Sequence, residues 1–273
     1  PQNFVKITLG PTLLSGWACC TPLKVSGTTT QTSAIGCLRA IDKECNPAMA
    51  TWSDLERELS IWHAAGVTPT FWWRDDDAES PSPALDTLLA LAQRHSVPIH
   101  LAVVPKSVGP ALANRLSHAT DTYVLQHGFA HVNNEPFGAR ASEVGEHRDI
   151  DLQLRDLKDG WQRLVQAQIP NLLPGFAAPW NRIADKTVAH FPDLGYRLLS
   201  TCHARKSPSP VAGVTQVNIH FDPIRWKQGP KFRGTEATLE GVVEHLVQRR
   251  TGLVDKTEPT GLSTHHLQTD DIV

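Results

Sequence analysis

Two short stretches of this sequence carry residues whose types and spacing suit metal chemistry. The first is the carboxylate run Asp75-Asp76-Asp77, and the second contains His127 and His131, two imidazoles four residues apart. Adjacent carboxylates repel one another and raise each other's pKa, so a bound cation is the simplest way to keep them ionised near a core. If residues 127–131 turn helically, both imidazoles project from one face and can share a divalent ion with a carboxylate. These residues therefore predict a metal site.

Alternating helical and strand patterns indicate the framework that must position these groups. Strands are predicted at 67–73, 97–104, 123–126, 171–177, 196–200, 215–221 and 261–264, the first two as apolar, buried runs. Helical spacing of apolar residues predicts helices at about 52–66, 80–92, 109–117, 151–168, 184–191 and 235–250. Such alternation is typical of a parallel sheet covered by helices, an α/β fold.

Several predicted strands end in residues that are able to do chemistry. These are the carboxylates at 75–77, His127, the Pro179-Trp180 pair, residues 220–222 and His265. The carboxyl ends of parallel strands share one edge of the sheet, where α/β proteins place their sites. The polar loop at 132–148 is long for a compact domain, so we expect it to line the same site.

The order of these motifs resembles the polysaccharide deacetylase family. A strand ending in Asp-Asp is followed by His-x-x-x-His, by a strand ending near Pro-Trp, and by a last strand ending in His. The resemblance covers roughly residues 52–267. It implies the NodB-homology fold, a distorted (β/α) barrel, and an enzyme that uses a divalent metal to remove acetyl groups from N-acetylated sugars.

The resemblance assigns a role to each Asp of the first motif, where a general base is followed by a metal ligand and then by Gly. Placing Ala78 on that Gly makes Asp76 the base and Asp77 the ligand. Shifting the motif by one residue makes Asp75 the base and Asp76 the ligand. We prefer the first assignment, and Asp76 takes part under both.

The resemblance also assigns the imidazoles. His127 and His131 match the family's metal-binding pair, with Gly128 in place of the usual hydroxyl residue. Two nitrogens and one carboxylate suit Zn²⁺ best, and Co²⁺, Mn²⁺ and Ni²⁺ are compatible. His265 aligns with the family's general acid and His266 is its rival. Adjacent strand residues point to opposite faces, so only one of them can enter the site.

One departure from the family pattern concerns an Arg that orients the catalytic Asp. Ala177 stands at its position, and Arg74 or Arg182 is the candidate replacement. His220 and Asp222 form an extra polar pair that could orient His265 or bond loop backbone. The predicted substrate-binding residues are Pro179, Trp180, Arg182 and Asp222, with Trp180 placed to stack on a sugar face.

These assignments predict a metal-dependent hydrolase of amide-linked acetyl groups. Asp76 takes a proton from the attacking water, and His265 protonates the leaving amine. The expected substrate is an N-acetylated sugar or oligosaccharide. The missing Arg keeps two alternatives open: a hydrolase of another non-peptide C–N bond in a small amide, and a catalytically inactive carbohydrate-binding protein on the same fold.

Composition limits the partners and the compartment. The 26 Lys and Arg residues nearly balance 28 Asp and Glu, without a long basic tract, so the sequence predicts neither nucleic acid nor an anionic membrane as a partner. No apolar run is long enough to cross a bilayer, and no signal-peptide pattern opens the sequence. We therefore expect a cytoplasmic protein that acts on a sugar precursor in solution.

The two ends of the sequence differ from its body. Residues 1–48 are rich in Thr and Ser, show no sustained periodicity and hold four of the 5 Cys in a spacing that matches no zinc pattern. We predict an N-terminal extension over 1–48 and a deacetylase-like domain over 49–273. Because the alternation predicts a further helix after the last strand, we also expect the domain to be truncated at its C-terminus.

Overall fold

A seven-stranded parallel sheet forms the centre of the protein, whose computed structural model describes residues 50–268. The predictions for residues 1–48 and for the C-terminus lie outside these residues. The strands are β1 Phe71–Ala78, β2 Ile99–Val103, β3 Thr122–His127, β4 Leu172–Ala177, β5 Leu198–Ser200, β6 Thr215–Gln216, and β9 Thr260–Thr264. Their spatial order is β6-β5-β4-β3-β2-β1-β9. A short antiparallel pair, β7 Ile224–Arg225 and β8 Lys231–Phe232, is separate from this sheet.

Helices connect most of the parallel strands, as is typical of β/α crossovers. They are α1 Trp52–Ala64, α2 Pro83–Arg94, α3 Pro110–Leu116, α4 Ile150–Gln166, α5 Asp185–Val188, α6 Phe191–Leu194 and α7 Thr235–Thr251. Ser82 begins α2 by accepting a hydrogen bond from Leu85 N, and Asp149 begins α4 by accepting from Asp151 N. No helix within residues 50–268 is both long and apolar enough to span a membrane.

The apolar strands form the core against the surrounding helices. All five residues of β2 are buried, and Leu85, Leu88 and Leu89 of α2 pack into the same cluster as Ile99 and Leu101 of that strand. The sequences of central strands are largely continuous apolar runs, because neither face of such a strand is exposed to water. The predicted α/β barrel is confirmed by this arrangement.

The segment after β6 closes the sheet into a distorted barrel. Val217 N donates to Leu199 O and Ile219 N to Thr201 O, so this segment continues along β5. At the next residue it changes partner, since His220 N donates to Gly261 O and Ser263 N to Phe221 O. The chain from 215 to 221 therefore joins the two edges of the sheet, β5 on one side and β9 on the other.

Three local predictions were wrong. The first strand was predicted at 67–73, but β1 extends from Phe71 to Ala78, so the carboxylates lie within the strand. The helix predicted at 184–191 is split into the short helices α5 and α6. Residues 127–131 form no helical turn, because Gly128 and His131 take left-handed backbone angles, with φ of 59° and 53°.

We predict that barrel closure depends on the absence of a side chain at Gly261. A Cβ there would lie 2.2 Å from Asn218 O and 2.8 Å from Ile219 Cα. Gly261→Ala should lower the free energy of unfolding by about 1–3 kcal/mol or more, as overpacking does. Urea denaturation measures this change. Gly109→Ala is the control because a Cβ at that position meets open space, and an equal loss in both variants would contradict the prediction.

Candidate functional site

The three carboxylates of β1 each face a different partner. Asp75 is bonded to the end of β9, Asp76 to Arg74, and Asp77 to the imidazoles of His127 and His131. Alternation along a strand sends the side chains of 75 and 76 to opposite faces, and the left-handed φ of 68° at Asp77 turns the third side chain away from both. Of the three carboxylates, only that of Asp77 therefore lies beside both imidazoles.

Asp77, His127 and His131 form a group with the geometry of a metal site. Asp77 Oδ1 lies 3.2 Å from His127 Nε2 and 3.3 Å from His131 Nε2. His127 Nδ1 lies 2.9 Å from Ala177 O and must donate its proton there, which leaves a lone pair on Nε2. Asp77 Oδ1 is buried and has no hydrogen-bond donor among residues 50–268. A divalent cation satisfies all three atoms, so these residues fit one.

Glu143, from the long polar loop, holds the turn that carries His131. Its carboxylate accepts hydrogen bonds from the backbone N–H groups of Phe129, Ala130 and His131, at 3.1, 2.7 and 3.2 Å. Gly128 leaves the space for this contact, because a Cβ there would lie 1.9 Å from Glu143 Oε2. Gly128 therefore makes room for a buried carboxylate that orders the turn.

Arg74, one of the two candidate replacements for the family's Arg, lies beside Asp76 in the structure. Its guanidinium is fully buried and binds Asp76 through both carboxylate oxygens, with Nε to Oδ1 at 2.7 Å and Nη2 to Oδ2 at 2.8 Å. Nη1 donates to Ser200 Oγ at 2.6 Å and Nη2 to Asn181 Oδ1 at 2.7 Å. Ala177 places no charge near Asp76, and Arg182 instead donates to Ala141 O. Arg74 is thus the residue that orients Asp76.

The Asp75 carboxylate fixes the end of β9. It accepts hydrogen bonds from Thr264 Oγ1 at 2.7 Å and from His266 N at 3.1 Å, and it contacts His266 Nδ1. Both Asp75 and His266 are buried. As the alternation predicts, His266 points away from the site while His265 points into it. Asp75 therefore holds both neighbours of His265, Thr264 through its hydroxyl and His266 through its backbone N–H.

His265 lies between two carboxylates. Its Nε2 is 3.9 Å from Asp76 Oδ2 and its Nδ1 is 3.8 Å from Asp222 Oδ2. Trp226 packs edge-on against its ring at 4.6 Å and donates from Nε1 to Asp222 Oδ2 at 2.7 Å. Asp222 thus faces His265, whereas His220 does not: it stacks on His245 at 3.5 Å.

The segment after β4 forms one wall of the site. The Trp180 ring lies 4.3 Å from the His131 ring, and Trp180 and Asn181 both have left-handed φ values, 52° and 57°. Pro179 is buried beside the turn at Gly128. Trp180 is half-buried, so one part of its ring remains open to a ligand.

The charges of the site keep its carboxylates ionised. Burial raises the pKa of Asp76, but the Arg74 guanidinium, followed by His127 and His265, lowers it further, and the net shift is downward. Burial likewise raises the pKa of Asp77, but the adjacent His127 imidazole, followed by His131 and His265, lowers it further, and the net shift is again downward. For His127, burial lowers the pKa while Asp77 and Asp76 raise it above its usual value. This field attracts a cation, either a proton or a metal ion, to His127 Nε2.

A second group of potential ligands, His220, His245 and Glu258, has a different chemistry. Gly261 N donates to His220 Nδ1 at 2.9 Å, so the proton of that ring resides on Nε2, which faces Glu258 Oε2 at 3.4 Å. A protonated nitrogen offers no lone pair to a metal. Glu258 also accepts from Asn218 N and Arg205 N. These residues tie β9 to the closing segment.

Sequence reasoning missed several residues that support the site. Arg74 was one of two candidates, and its place beside the Asp run was the available signal. The polarity and length of the loop at 132–148 pointed to the site without indicating Glu143. The remaining supports, which no motif signalled, are Asn181, Ser200 and Trp226.

We predict that metal affinity depends on Glu143. In Glu143→Gln an amide N–H₂ replaces one oxygen and meets backbone donors, so the turn of His131 should loosen and metal affinity should fall about 10–100-fold. Competition with a chromophoric chelator measures this affinity. Glu146→Gln is the matched control, because Glu146 is exposed and its side chain forms no hydrogen bond in the described chain. Equal affinities for the two variants would contradict the role.

Several solved structures of known proteins are similar to this chain. No protein-family model and no curated protein matches the sequence. A family 4 carbohydrate esterase from Streptomyces lividans, in complex with acetate, is 13% identical, with a TM-score of 0.47 over 73% of this chain and 80% of that one. A CE4 family pseudoenzyme from Bacillus anthracis is 15% identical, with a TM-score of 0.42 over 70% and 63%.

A chitin deacetylase from the fungal pathogen Colletotrichum lindemuthianum is also similar. It is 15% identical, with a TM-score of 0.40 over 74% of this chain and 76% of that one. At these identities the likeness concerns the fold. Residues 50–268 have the distorted (β/α) barrel of the polysaccharide deacetylase type, and the chain resembles that family in the motifs at the ends of its strands.

Proposed function

We propose that this protein is a metal-dependent hydrolase that removes N-acetyl groups from a carbohydrate. The observation that carries the proposal is the position of Asp76. It lies close enough to both His127 and His265 for their charges to lower its pKa, and Arg74 holds both of its oxygens. Asp76, the proposed base, therefore lies beside the candidate metal site on one side and beside His265, the proposed proton donor, on the other.

Each group has a separate task in the proposed reaction. Asp77, His127 and His131 would hold a divalent ion, with Zn²⁺ favoured, and the bound ion would supply Lewis-acid chemistry to the water and the acetyl carbonyl. Asp76, kept ionised by Arg74, accepts the proton of the attacking water. His265 donates a proton to the leaving amine nitrogen. Asp222 faces His265 Nδ1 and orients its ring.

Aromatic residues at the mouth support a sugar as the substrate. Trp180 lies beside His131, and Trp226 is 46% exposed where it meets His265. Flat rings on both sides of a polar site suit the apolar faces of a pyranose. Among amide substrates we therefore favour an N-acetylated sugar over a small aliphatic amide.

The arrangement at Arg74 favours an enzyme over an inactive binding protein on the same fold. The substitution at position 177 would leave a catalytic Asp unsupported if nothing replaced the missing Arg. Arg74 and Asp76 instead form a buried bidentate pair, which is costly to desolvate and is typical of an oriented carboxylate. A protein that only binds sugar has no need for this pair.

We predict that Asp76 and His265 act on protons and not on metal binding. Asp76→Asn keeps the size of the side chain and removes its basicity, so turnover should fall about a hundredfold or more with metal content unchanged. His265→Ala should behave in the same way. Acetate release from N-acetylated oligosaccharides and metal analysis of the same samples measure both quantities. Loss of metal from Asp76→Asn would assign Asp76 as a ligand, and no acetate from the metal-loaded wild type would refute the deacetylase proposal.

We predict that Arg74→Ala lowers kcat about a hundredfold or more, because Asp76 loses its bidentate partner. Millimolar guanidinium chloride should restore part of kcat by entering the space that the side chain leaves. Arg249→Ala is the matched control. Arg249 is also buried, but it binds Thr70 and Thr260 at the amino-terminal ends of β1 and β9, away from the site. It should lose stability and gain nothing from guanidinium. Failure of guanidinium to raise kcat in Arg74→Ala would assign Arg74 a structural role only.

A further inference from the structure

A groove of about 810 Å³ adjoins the candidate active site. Asn181 and Thr201 line it, and both also contact Arg74, through Asn181 Oδ1 at 2.7 Å and Thr201 O at 3.5 Å. Arg74 in turn holds Asp76. The groove and the reacting centre are therefore separated by a single guanidinium, and the volume is within the range of sites for small ligands.

The groove carries an excess of positive charge. Arg182, Arg205 and Lys206 line it, against one acidic residue, Asp185. Arg205 is already neutralised, because its guanidinium binds Asp255. The other three charged groups form no ion pair within residues 50–268. Arg182 donates one hydrogen bond, from Nη1 to Ala141 O, and its remaining N–H groups are available to a ligand.

A further guanidinium adds to this charge. Arg140, on the polar loop, is close enough to Arg182 to lower its pKa, together with the larger effect of burial. Burial raises the pKa of the Cys202 thiol at the groove wall, while Arg74, Arg182 and Arg140 all oppose that rise. The charges of three guanidiniums therefore act on this side chain. In a protein with a formal net charge of -2, this is a local concentration of positive charge.

We propose that the groove binds an anionic group, a phosphate or a carboxylate, of the same N-acetylated sugar whose acetyl group lies at Asp76. This inference rests on the proposed function and specifies its substrate class. Arg182 is the main ligand of the anion, since a guanidinium presents paired N–H donors that match the oxygens of either group. Arg140 and Lys206 contribute attraction at longer range. A neutral oligosaccharide would leave these charges without a partner.

Matched substrates test the proposal. N-acetylglucosamine is the neutral probe, N-acetylglucosamine 6-phosphate carries a phosphate, and N-acetylmuramic acid carries a carboxylate. With the metal-loaded wild type, we expect KM for at least one anionic probe to be tenfold or more below KM for the neutral sugar. Comparison of the two anionic probes identifies the preferred group. Equal KM values for all three would overturn the proposal and leave the deacetylase function standing.

Variants assign the effect to the groove. Arg182→Ala should raise KM for the preferred anionic probe about tenfold more than it raises KM for N-acetylglucosamine, because only the anionic probe pairs its charge with the guanidinium. Arg140→Ala and Lys206→Ala should give smaller changes of the same kind. Lys158→Ala is the control, since Lys158 is an exposed cation on α4 that lines no part of the groove. Equal effects of Arg182→Ala on charged and neutral probes would overturn the proposal.

A binding measurement separates this proposal from the proposed function. Calorimetric titration of the Asp76→Asn variant with inorganic phosphate, and with the anionic sugars, needs no turnover. Binding that weakens about tenfold when Arg182→Ala is added supports the anion site, even if no probe releases acetate. If no anionic probe binds, whether phosphate or either anionic sugar, or if binding of all of them is insensitive to Arg182→Ala, the proposal is overturned, whatever the rate of acetate release.

Discussion

The buried ion pair between Arg74 and Asp76 is the interaction on which the rest of the site depends. Two charges removed from water are stable only when each has a complete set of partners. Asp76 has both oxygens bound, and Arg74 reaches Ser200 on β5 and Asn181 after β4. One side chain of β1 thereby connects strands across the barrel and sets the position of the proposed base.

The motifs and the strand ends were predictable because they depend on local periodicity. Continuous apolar runs place His127 and His265 at the ends of strands, and the parallel order then brings them to one edge. The supporting contacts were not predictable, because they join residues distant in sequence. Arg74 and Ser200, for example, are 126 residues apart. The turn at Gly128 was also missed, since its conformation depends on Glu143, which approaches from another segment.

The site combines residues held by regular strands with a residue held by a turn, and the loop at 132–148 supports that turn. The strands supply fixed positions for Asp77 and His127, whereas His131 lies on a turn without a regular ladder of hydrogen bonds. Glu143 supplies what that turn lacks, a single acceptor for successive backbone N–H groups. Gly128 is part of the same arrangement, because any side chain at that position would displace the Glu143 carboxylate.

The run of three carboxylates in β1 constrains how this segment can change length. Asp75 faces β9, Asp76 faces Arg74 and Asp77 faces the imidazoles. Insertion or deletion of one residue before this run would rotate every carboxylate to another face of the strand, and all three partnerships would be lost together. Substitutions can alter one partner at a time, but the spacing itself cannot drift. Lineages that carry this arrangement should therefore keep the segment from 71 to 78 at a constant length.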